Sequence, residues 1–159
     1  MNAASPTFLP GLRYPAVPPL EPARQRELLG AAPVGRLATL RADGTPRLVP
    51  ITYVLLDGVV CSAVDEVKPK RSSRLARLDD VRRDPRVGLV VDHYEADWAR
   101  LWWVRVDGTA AVHEDGALRE RALDALAAKY PPYAAARPAG PMLVITPTAW
   151  AGWTAAEPE

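Results

Sequence analysis

Residues 92–108 decide the fold and read DHYEADWARLWWVRVDG, from Asp92 to Gly108. The chain contains five tryptophans, and three of them lie in this short stretch. In a β-strand successive side chains point to opposite faces. The alternation predicts Leu101, Trp103 and Arg105 on one face, with Trp102, Val104 and Val106 on the other. A strand with a tryptophan on each face needs two packed faces, so we expect the second face to meet a second subunit or a flat ligand.

The composition is that of one ordinary globular domain. The chain has 159 residues, of which 48% are hydrophobic and 25% are charged, and this length is enough to bury a core. The formal net charge is +1, so no general electrostatic field attracts nucleic acid or a membrane surface, and neither is expected as a partner. A single cysteine, Cys61, excludes an internal disulfide and a cysteine-rich metal site.

The first twenty residues differ from the rest of the chain. They carry prolines at positions 6, 10, 15, 18 and 19 and no continuous apolar run. This pattern predicts neither a signal peptide nor a transmembrane helix, so we expect a cytoplasmic protein. The resulting division is an extended proline-rich arm at 1–20, one domain at 21–153 and a short tail at 154–159. The arm either lies across a partner subunit or is disordered.

Turn signals and hydrophobic periodicity divide the domain into short elements. Helices are predicted at Glu21–Leu29, ended by Gly30, after the charged connection Asp65–Arg74, and at Ala117–Tyr130, followed by a proline-rich loop at Pro131–Pro141. Strands are predicted at Val34–Leu40, Arg47–Leu55, Val59–Ala63, Arg86–Asp92, from Leu101 to a turn at Asp107-Gly108, Thr109–His113 and Met142–Thr146. Asp43-Gly44 indicates a hairpin, and Pro50 marks an edge, a bulge or a ligand approaching the backbone.

The order of these elements indicates the fold class. Six or seven strands follow one another through short turns, and the helices are inserted without alternating with them. This order favours a mostly β protein, an antiparallel barrel with added helices, over a doubly wound sheet.

The strongest chemical signal is the basic block Lys68–Arg74, which reads KPKRSSR. It precedes a predicted helix, and the backbone N–H groups of a helix N-terminus favour an anion. Lysine charges and arginine guanidinium groups strengthen such a phosphate site. The alternative is a solvated basic turn, but cations at a helix N-terminus oppose the macrodipole unless an anion is bound. The block therefore predicts phosphate binding.

These motifs, in this order, resemble the pyridoxamine 5'-phosphate oxidase-like FMN-binding split-barrel superfamily. The resemblance covers roughly Glu21 to Trp153. It is carried by the Asp43-Gly44 hairpin, Pro50, the basic block, Asp84-Pro85-Arg86-Val87, Asp92-His93-Tyr94 with Trp98, Leu101 to Gly108, and the Trp150-Ala151-Gly152-Trp153 ending. Within the superfamily, the pattern resembles the branch that uses the deazaflavin coenzyme F420.

The resemblance implies a homodimer with two equivalent cofactor clefts between the barrels. The cofactor phosphate would be held by Lys68, Lys70 and Arg71, with Ser72 as a further donor. The cofactor ring would lie near Val49, Pro50, Ile51, Thr52 and Ser62. In FMN-binding relatives the phosphate connection often reads Ser-Arg-Lys, where this chain has Pro69-Lys70-Arg71. This departure leaves the identity of the cofactor open. The branch implies coenzyme F420, whose longer acidic tail fits the additional Lys68 and Arg74, and FMN is the alternative.

Substrate and catalytic residues are the least defined. Trp102 or Trp103 would form an aromatic wall for a flat substrate, and Arg105 would neutralise a carboxylate or pair with Asp107. The alternatives are a core or dimer-interface role for the tryptophans and, for Arg105, a structural ion pair across the dimer. His93 is a candidate proton donor because its ordinary pKa suits that role. A metal site around Asp92-His93 is disfavoured, since no second histidine is nearby in sequence.

The function predicted from this resemblance is hydride transfer between reduced F420 and a small conjugated substrate. The alternatives are an FMN-dependent oxidase or reductase on the same fold and a carrier that binds the cofactor without catalysis. A haem-binding barrel, with His93 or His113 as the only histidine ligands, is a further alternative.

Overall fold

The computed structural model describes residues 19–64 and 73–155. The helices in these ranges are α1 (Pro22–Ala31), α2 (Ser73–Arg83), α3 (Ala117–Lys129) and α4 (Pro131–Ala135). The strands are β1 (Gly35–Leu40), β2 (Pro46–Ile51), β3 (Val54–Leu56), β4 (Val59–Ala63), β5 (Arg86–His93), β6 (Trp102–His113) and β7 (Met142–Thr154). The predicted extended arm, apart from positions 19 and 20, lies outside the described residues.

The seven strands form one antiparallel sheet in the order β2-β1-β5-β6-β7-β4-β3. The strands β2 and β3 follow each other in the chain, yet they lie at opposite ends of this order. The sheet must therefore curl into a half-barrel, with Thr52 and Tyr53 crossing the split between its two edges. The mostly β, antiparallel split-barrel fold predicted from the sequence is confirmed.

Two hydrophobic clusters stabilise the curled sheet. The larger lies inside the curl and includes Leu37, Leu89 and Val104, each at most 1% exposed. The smaller packs strands β3, β4 and β7 against α3 and α4, and it includes Cys61 and Leu126. Burial raises the pKa of the Cys61 thiol to about 11, so this side chain packs as a small hydrophobe.

The tryptophan strand alternates as predicted from Trp102 onward. Val104 and Val106 are fully buried, Trp102 packs partly against the larger cluster, and Arg105 is exposed. Leu101 differs from the prediction because it precedes the strand and is buried, with its carbonyl accepting the backbone N–H of Ala155. Alternation constrains only residues inside a ladder.

The single predicted strand Arg47–Leu55 is wrong, because two strands occupy this segment. Strand β2 ends at Ile51 and β3 begins at Val54. The apolar pattern continues through the break, and so the sequence gives no sign of it. The break arises because the chain leaves one sheet edge and joins the other.

The predicted turn at Asp107-Gly108 is also wrong. Strand β6 runs through it, and the register with β7 shifts there, so that Asp107 pairs with Ala149 and Gly108 with Pro147. Thr148 is the extra residue, and its hydroxyl donates to the carbonyl of Asp107 at 3.1 Å. A Cβ on Gly108 would lie 2.4 Å from the Thr146 carbonyl oxygen. Glycine therefore permits a close approach of two strands at a β-bulge.

Three smaller boundaries differ from the predictions. The last strand continues to Thr154 instead of ending at Thr146, because Pro147 lies at the bulge, where no ladder donor is required. The predicted loop Pro131–Pro141 begins with α4, since a proline is well suited to the first turn of a helix. Helix α1 includes Gly30 and ends at Ala31. None of the described helices is long and apolar enough to cross a membrane.

Candidate functional site

The split of the barrel is held by side chains from other elements. Peptide groups between β2 and β3 have no place in the ladder and need other partners. The Ser62 hydroxyl donates to the carbonyl of Thr52 at 2.8 Å. The N–H of Tyr53 donates to the Tyr130 phenol oxygen at 3.1 Å. The Tyr53 carbonyl accepts hydrogen bonds from the Lys129 ammonium at 3.1 Å and the Tyr130 hydroxyl at 2.9 Å. The crossover is therefore a fixed segment.

The predicted ring-binding residues surround this crossover but do not share one face. Val49 and Ile51 turn inward, half-buried and buried respectively, and Pro50 is exposed on the outer face. Thr52 and Ser62 are joined by the hydrogen bond already described. Among the described strands β2 pairs only with β1. The outer edge of β2 therefore presents peptide groups, with Pro50 as a residue that lacks an N–H.

The predicted phosphate residues Lys68, Lys70, Arg71 and Ser72 lie outside the described residues. The backbone of α2 begins immediately after them, at Ser73. Of the predicted phosphate site, the described residues therefore include only the helix that follows the basic block.

A buried carboxylate fixes α2 against the β1–β2 hairpin. Asp80 is 3% exposed and accepts hydrogen bonds from Thr39 at 2.9 Å, Arg47 at 2.6 Å and Arg83 at 3.0 Å. Burial alone would raise the pKa of Asp80, but the hydrogen bonds from Arg47, Arg83 and Thr39 outweigh it and lower the pKa to about 2.

This network around Asp80 was not predicted from the sequence. Arg47 lies on the inward face of β2 together with the buried Ile51, because alternate residues of a strand share a face. A cation on an inward face needs an anionic partner, and this is the signal that could have indicated the network. Asp80 follows another aspartate on a helix, where a solvated surface is the ordinary interpretation.

The outer face of the sheet carries the predicted substrate residues that are not in the core. Directly opposed residues of antiparallel strands have neighbouring side chains. Trp103 lies between Asp92 and Trp153 in the register, and Arg105 pairs with the half-buried Asp107 at 3.1 Å. This contact is the predicted pairing of Arg105 with Asp107.

Residues aligned across neighbouring strands on this face run from Pro50, in the predicted ring-binding segment, to Arg105, in the predicted substrate site. The registers align Pro50 with Arg36, Arg36 with Val90, and Val90 with Arg105. Three strand spacings separate Pro50 from Arg105, which is roughly 14 Å. In one protomer, Arg105 therefore lies too far from the crossover for both residues to line the same small pocket.

His93 and Trp102 lie together at one end of β5 and β6. Their rings stack with centroids 6.3 Å apart and an interplanar angle of 19°. His93 Nε2 is hydrogen-bonded to Glu95 at 2.5 Å, and Glu95 pairs with Arg100 at 3.2 Å. Trp102 and Trp103 face opposite sides of the sheet, as the alternation predicts, so only one of them could line a given pocket. In the ranges 19–64 and 73–155, no three His, Cys, Asp or Glu side chains are grouped closely enough to hold a metal ion.

Comparison with known proteins identifies the family. The model of the pyridoxamine 5'-phosphate oxidase family matches residues 22–154, which is most of the chain. The chain belongs to this family. The match extends through the final strand, and it contains the crossover, the basic block and the tryptophan strand.

Solved structures have the same fold. A conserved hypothetical protein, Rv2991 from Mycobacterium tuberculosis, is 19% identical with a TM-score of 0.71, and the match covers 86% of each chain. A FAD-binding protein from Mesorhizobium loti is 24% identical with a TM-score of 0.65 over 86% of this chain and 94% of that one. The FAD-binding protein from Mycobacterium smegmatis is 20% identical with a TM-score of 0.57 over 84% and 94%. Comparison with curated proteins gave no match.

Proposed function

We propose that this family member is an oxidoreductase that uses coenzyme F420 to reduce a small conjugated substrate. The observation that carries the proposal is the split of the barrel. An edge strand with available peptide groups, β2, adjoins a crossover whose peptide groups at Thr52 and Tyr53 are held by Ser62, Lys129 and Tyr130. Such an edge is a preorganised binding surface.

The residues at the split fit a flat heterocycle. The ring system of a flavin or deazaflavin has a polar edge and two apolar faces. The outer edge of β2 supplies peptide donors and acceptors for the polar edge. Leu48, 70% exposed, and Pro50 supply an apolar surface. We propose that Val49–Thr52 would hold the ring, and that Lys68, Lys70, Arg71 and Ser72 would hold the phosphate.

The chemistry follows from this division of roles. When bound, the deazaflavin supplies the hydride, which side chains cannot provide. The work of the protein is to position the substrate and exclude water. Trp103 and Arg105 would contact a flat, anionic substrate from the outer face of the sheet. His93 stacks on Trp102, on the opposite face, and would not contact that substrate.

We propose that a second copy of the chain completes the site. Arg105 lies roughly 14 Å from Pro50 across three strand spacings, so in one protomer these two residues cannot enclose the same small molecule. A two-fold partner placed on the outer face would bring its own Trp103 and Arg105 toward β2. The exposed Leu48 and the half-buried Trp103 and Trp153 give this face the apolar character of an interface.

Leu48→Glu is expected to convert the dimer to a monomer, because it places a charge in an apolar interface. Light scattering should give about twice the monomer mass for the wild type and the monomer mass for the variant at the same micromolar concentration. Ala128→Glu, an exposed position on α3, is the matched control and should remain a dimer. A monomeric wild type would remove the second copy from the proposal.

Two alternatives remain distinct from this proposal. The FAD-binding structures with the same fold favour a flavin in place of the deazaflavin. A carrier would hold the cofactor without turnover. The deciding experiment incubates the protein with reduced F420 and a panel of enones, quinones and tetrapyrroles, and follows the reappearance of oxidised F420 absorbance. Turnover of at least one class supports the enzyme, whereas tight binding without turnover across the panel supports the carrier.

A further inference from the structure

The junction of α3 and α4 carries a polar cluster in which Lys129 and Tyr130 hold the crossover, as described above, and in which Tyr133 has no role assigned so far. We define the α3–α4 corner as Lys129, Tyr130 and Tyr133. The two tyrosine rings meet edge to face, with centroids 5.8 Å apart. Tyr133 is 6% exposed. Pro131 begins α4 directly after Tyr130 and so places the rings on one side of the junction.

The corner contacts the crossover at consecutive residues. The Tyr133 and Thr52 hydroxyl oxygens are hydrogen-bonded at 2.8 Å. Tyr130 contacts both the N–H and the carbonyl of Tyr53, and Lys129 also donates to that carbonyl. Contacts with both Thr52 and Tyr53 hold the crossover more firmly than a single contact would.

Lys129 extends the same attachment to helix α1. Its ammonium donates to the carbonyls of Gly30 at 2.9 Å and Ala32 at 2.8 Å. It also lies 4.5 Å from the centre of the Tyr53 ring. Burial lowers the pKa of Lys129, while three carbonyls and an aromatic face favour the ammonium form. The end of α1, the crossover and the α3–α4 corner are therefore joined through one side chain.

The hydroxyl of Tyr133 is not required for packing at the α3–α4 corner. Phenylalanine would fill the same space as Tyr133 with less desolvation cost, since a buried hydroxyl must be hydrogen-bonded. The Tyr133 hydroxyl instead meets the hydroxyl of Thr52, a residue at the split. A hydrogen bond between the two side chains fixes the rotamer of Thr52 and its position in the crossover. Packing alone would not fix either of them.

We propose that Tyr133 is a positioning residue for the cofactor site, acting through its hydrogen bond to Thr52. This inference rests on the proposed function, in which Val49–Thr52 receive the cofactor ring. In this arrangement the α3–α4 corner sets the conformation of the crossover before the cofactor arrives. Loss of the Tyr133 hydroxyl then reduces cofactor affinity through loss of preorganisation.

The test is a double-mutant cycle on F420 affinity with Tyr133→Phe, Thr52→Val and the double variant. Each single variant is expected to bind F420 about tenfold more weakly, and the double variant no more weakly than Thr52→Val alone. Thr52→Ser retains a hydroxyl and should recover most of the affinity that Thr52→Val loses. The melting temperature and the bound-state F420 absorbance spectrum are recorded for each. The spectrum is expected to shift in Tyr133→Phe, which a merely structural role would not cause.

The outcomes separate this inference from the proposed function. Wild-type protein that binds no F420 overturns both. Wild-type binding with unchanged affinity and spectrum in Tyr133→Phe overturns the positioning role alone. Additive losses in the double variant also overturn it, because they show that Tyr133 acts independently of Thr52. If Tyr133→Phe fails to fold, Thr52→Ser and Thr52→Val decide: equal affinities contradict a role for the hydroxyl pair.

Discussion

Replacing Lys68 and Arg71 together by alanine is expected to weaken F420 binding by more than a hundredfold. Each charge-assisted hydrogen bond to a phosphate contributes about 1.5–3 kcal/mol. Two lost bonds therefore cost about 3–6 kcal/mol, and 1.4 kcal/mol corresponds to a factor of ten in affinity. Isothermal titration of the variant with F420 at fixed ionic strength gives the change directly.

A matched control removes the effect of net charge. The double variant Arg24→Ala/Arg121→Ala also loses two cations, and both side chains are more than half exposed. It should bind F420 within about twofold of the wild type, because exposed ion pairs contribute little. Equal losses in the two double variants would show that the basic block acts only through general charge, and an unchanged affinity for Lys68→Ala/Arg71→Ala would remove the phosphate site.

Asp80→Ala is expected to lower the free energy of unfolding by about 3–5 kcal/mol, since it leaves the partly buried Arg47 without its carboxylate partner. Urea denaturation followed by circular dichroism measures the change. Asp79→Ala is the matched control on the same helix, because the Asp79 side chain is 65% exposed. That variant should unfold within about 0.5 kcal/mol of the wild type.

The same residue predicts a dependence on pH. The pKa of Asp80 falls from an ordinary value of 3.8 to about 2 in the folded protein. The ionised carboxylate therefore stabilises the fold above pH 3.8, and this stabilisation is lost as the pH falls to about 2. The loss amounts to about 2 kcal/mol. The stability difference between the wild type and Asp80→Asn should shrink by that amount between pH 4 and pH 2, and a constant difference would contradict the assignment.

Local patterns were sufficient to predict most of the sheet. Strand β4 occupies the predicted residues, Val59–Ala63, because the preceding turn is encoded by Asp57 and Gly58. Both have positive φ, 51° and 81° respectively, as a two-residue hairpin turn requires. The tryptophan strand was predictable because large residues mark both of its faces.

The crossover was not predictable because its determinants are distant in sequence. The residues that hold Tyr53 lie 76 and 77 positions further along the chain, at Lys129 and Tyr130. No local pattern in residues 47–55 reports them. The bulge at Gly108 was misread for the same reason, since the backbone it approaches belongs to Thr146. At both positions the tertiary contacts, and not the local turn and strand signals, determine the backbone structure.

The candidate site was predicted only in part. Thr52 and Ser62 were named from the resemblance, and the structure joins them by a hydrogen bond. The alternation predicted Trp102 and Trp103 on opposite faces, and the structure places them there, but alternation does not indicate which of the two would line a pocket. Tyr133 was missed because it lies in a segment whose prolines suggested a loop.

Binding of a deazaflavin by this split barrel is tested by titration. Purified protein is titrated with oxidised F420 and, separately, with FMN, and the intrinsic tryptophan fluorescence is followed. We expect saturable quenching by F420 at micromolar concentration and weaker binding of FMN. Tighter binding of FMN would contradict the F420 assignment and favour the flavin alternative. Binding of neither would contradict the cofactor site as a whole.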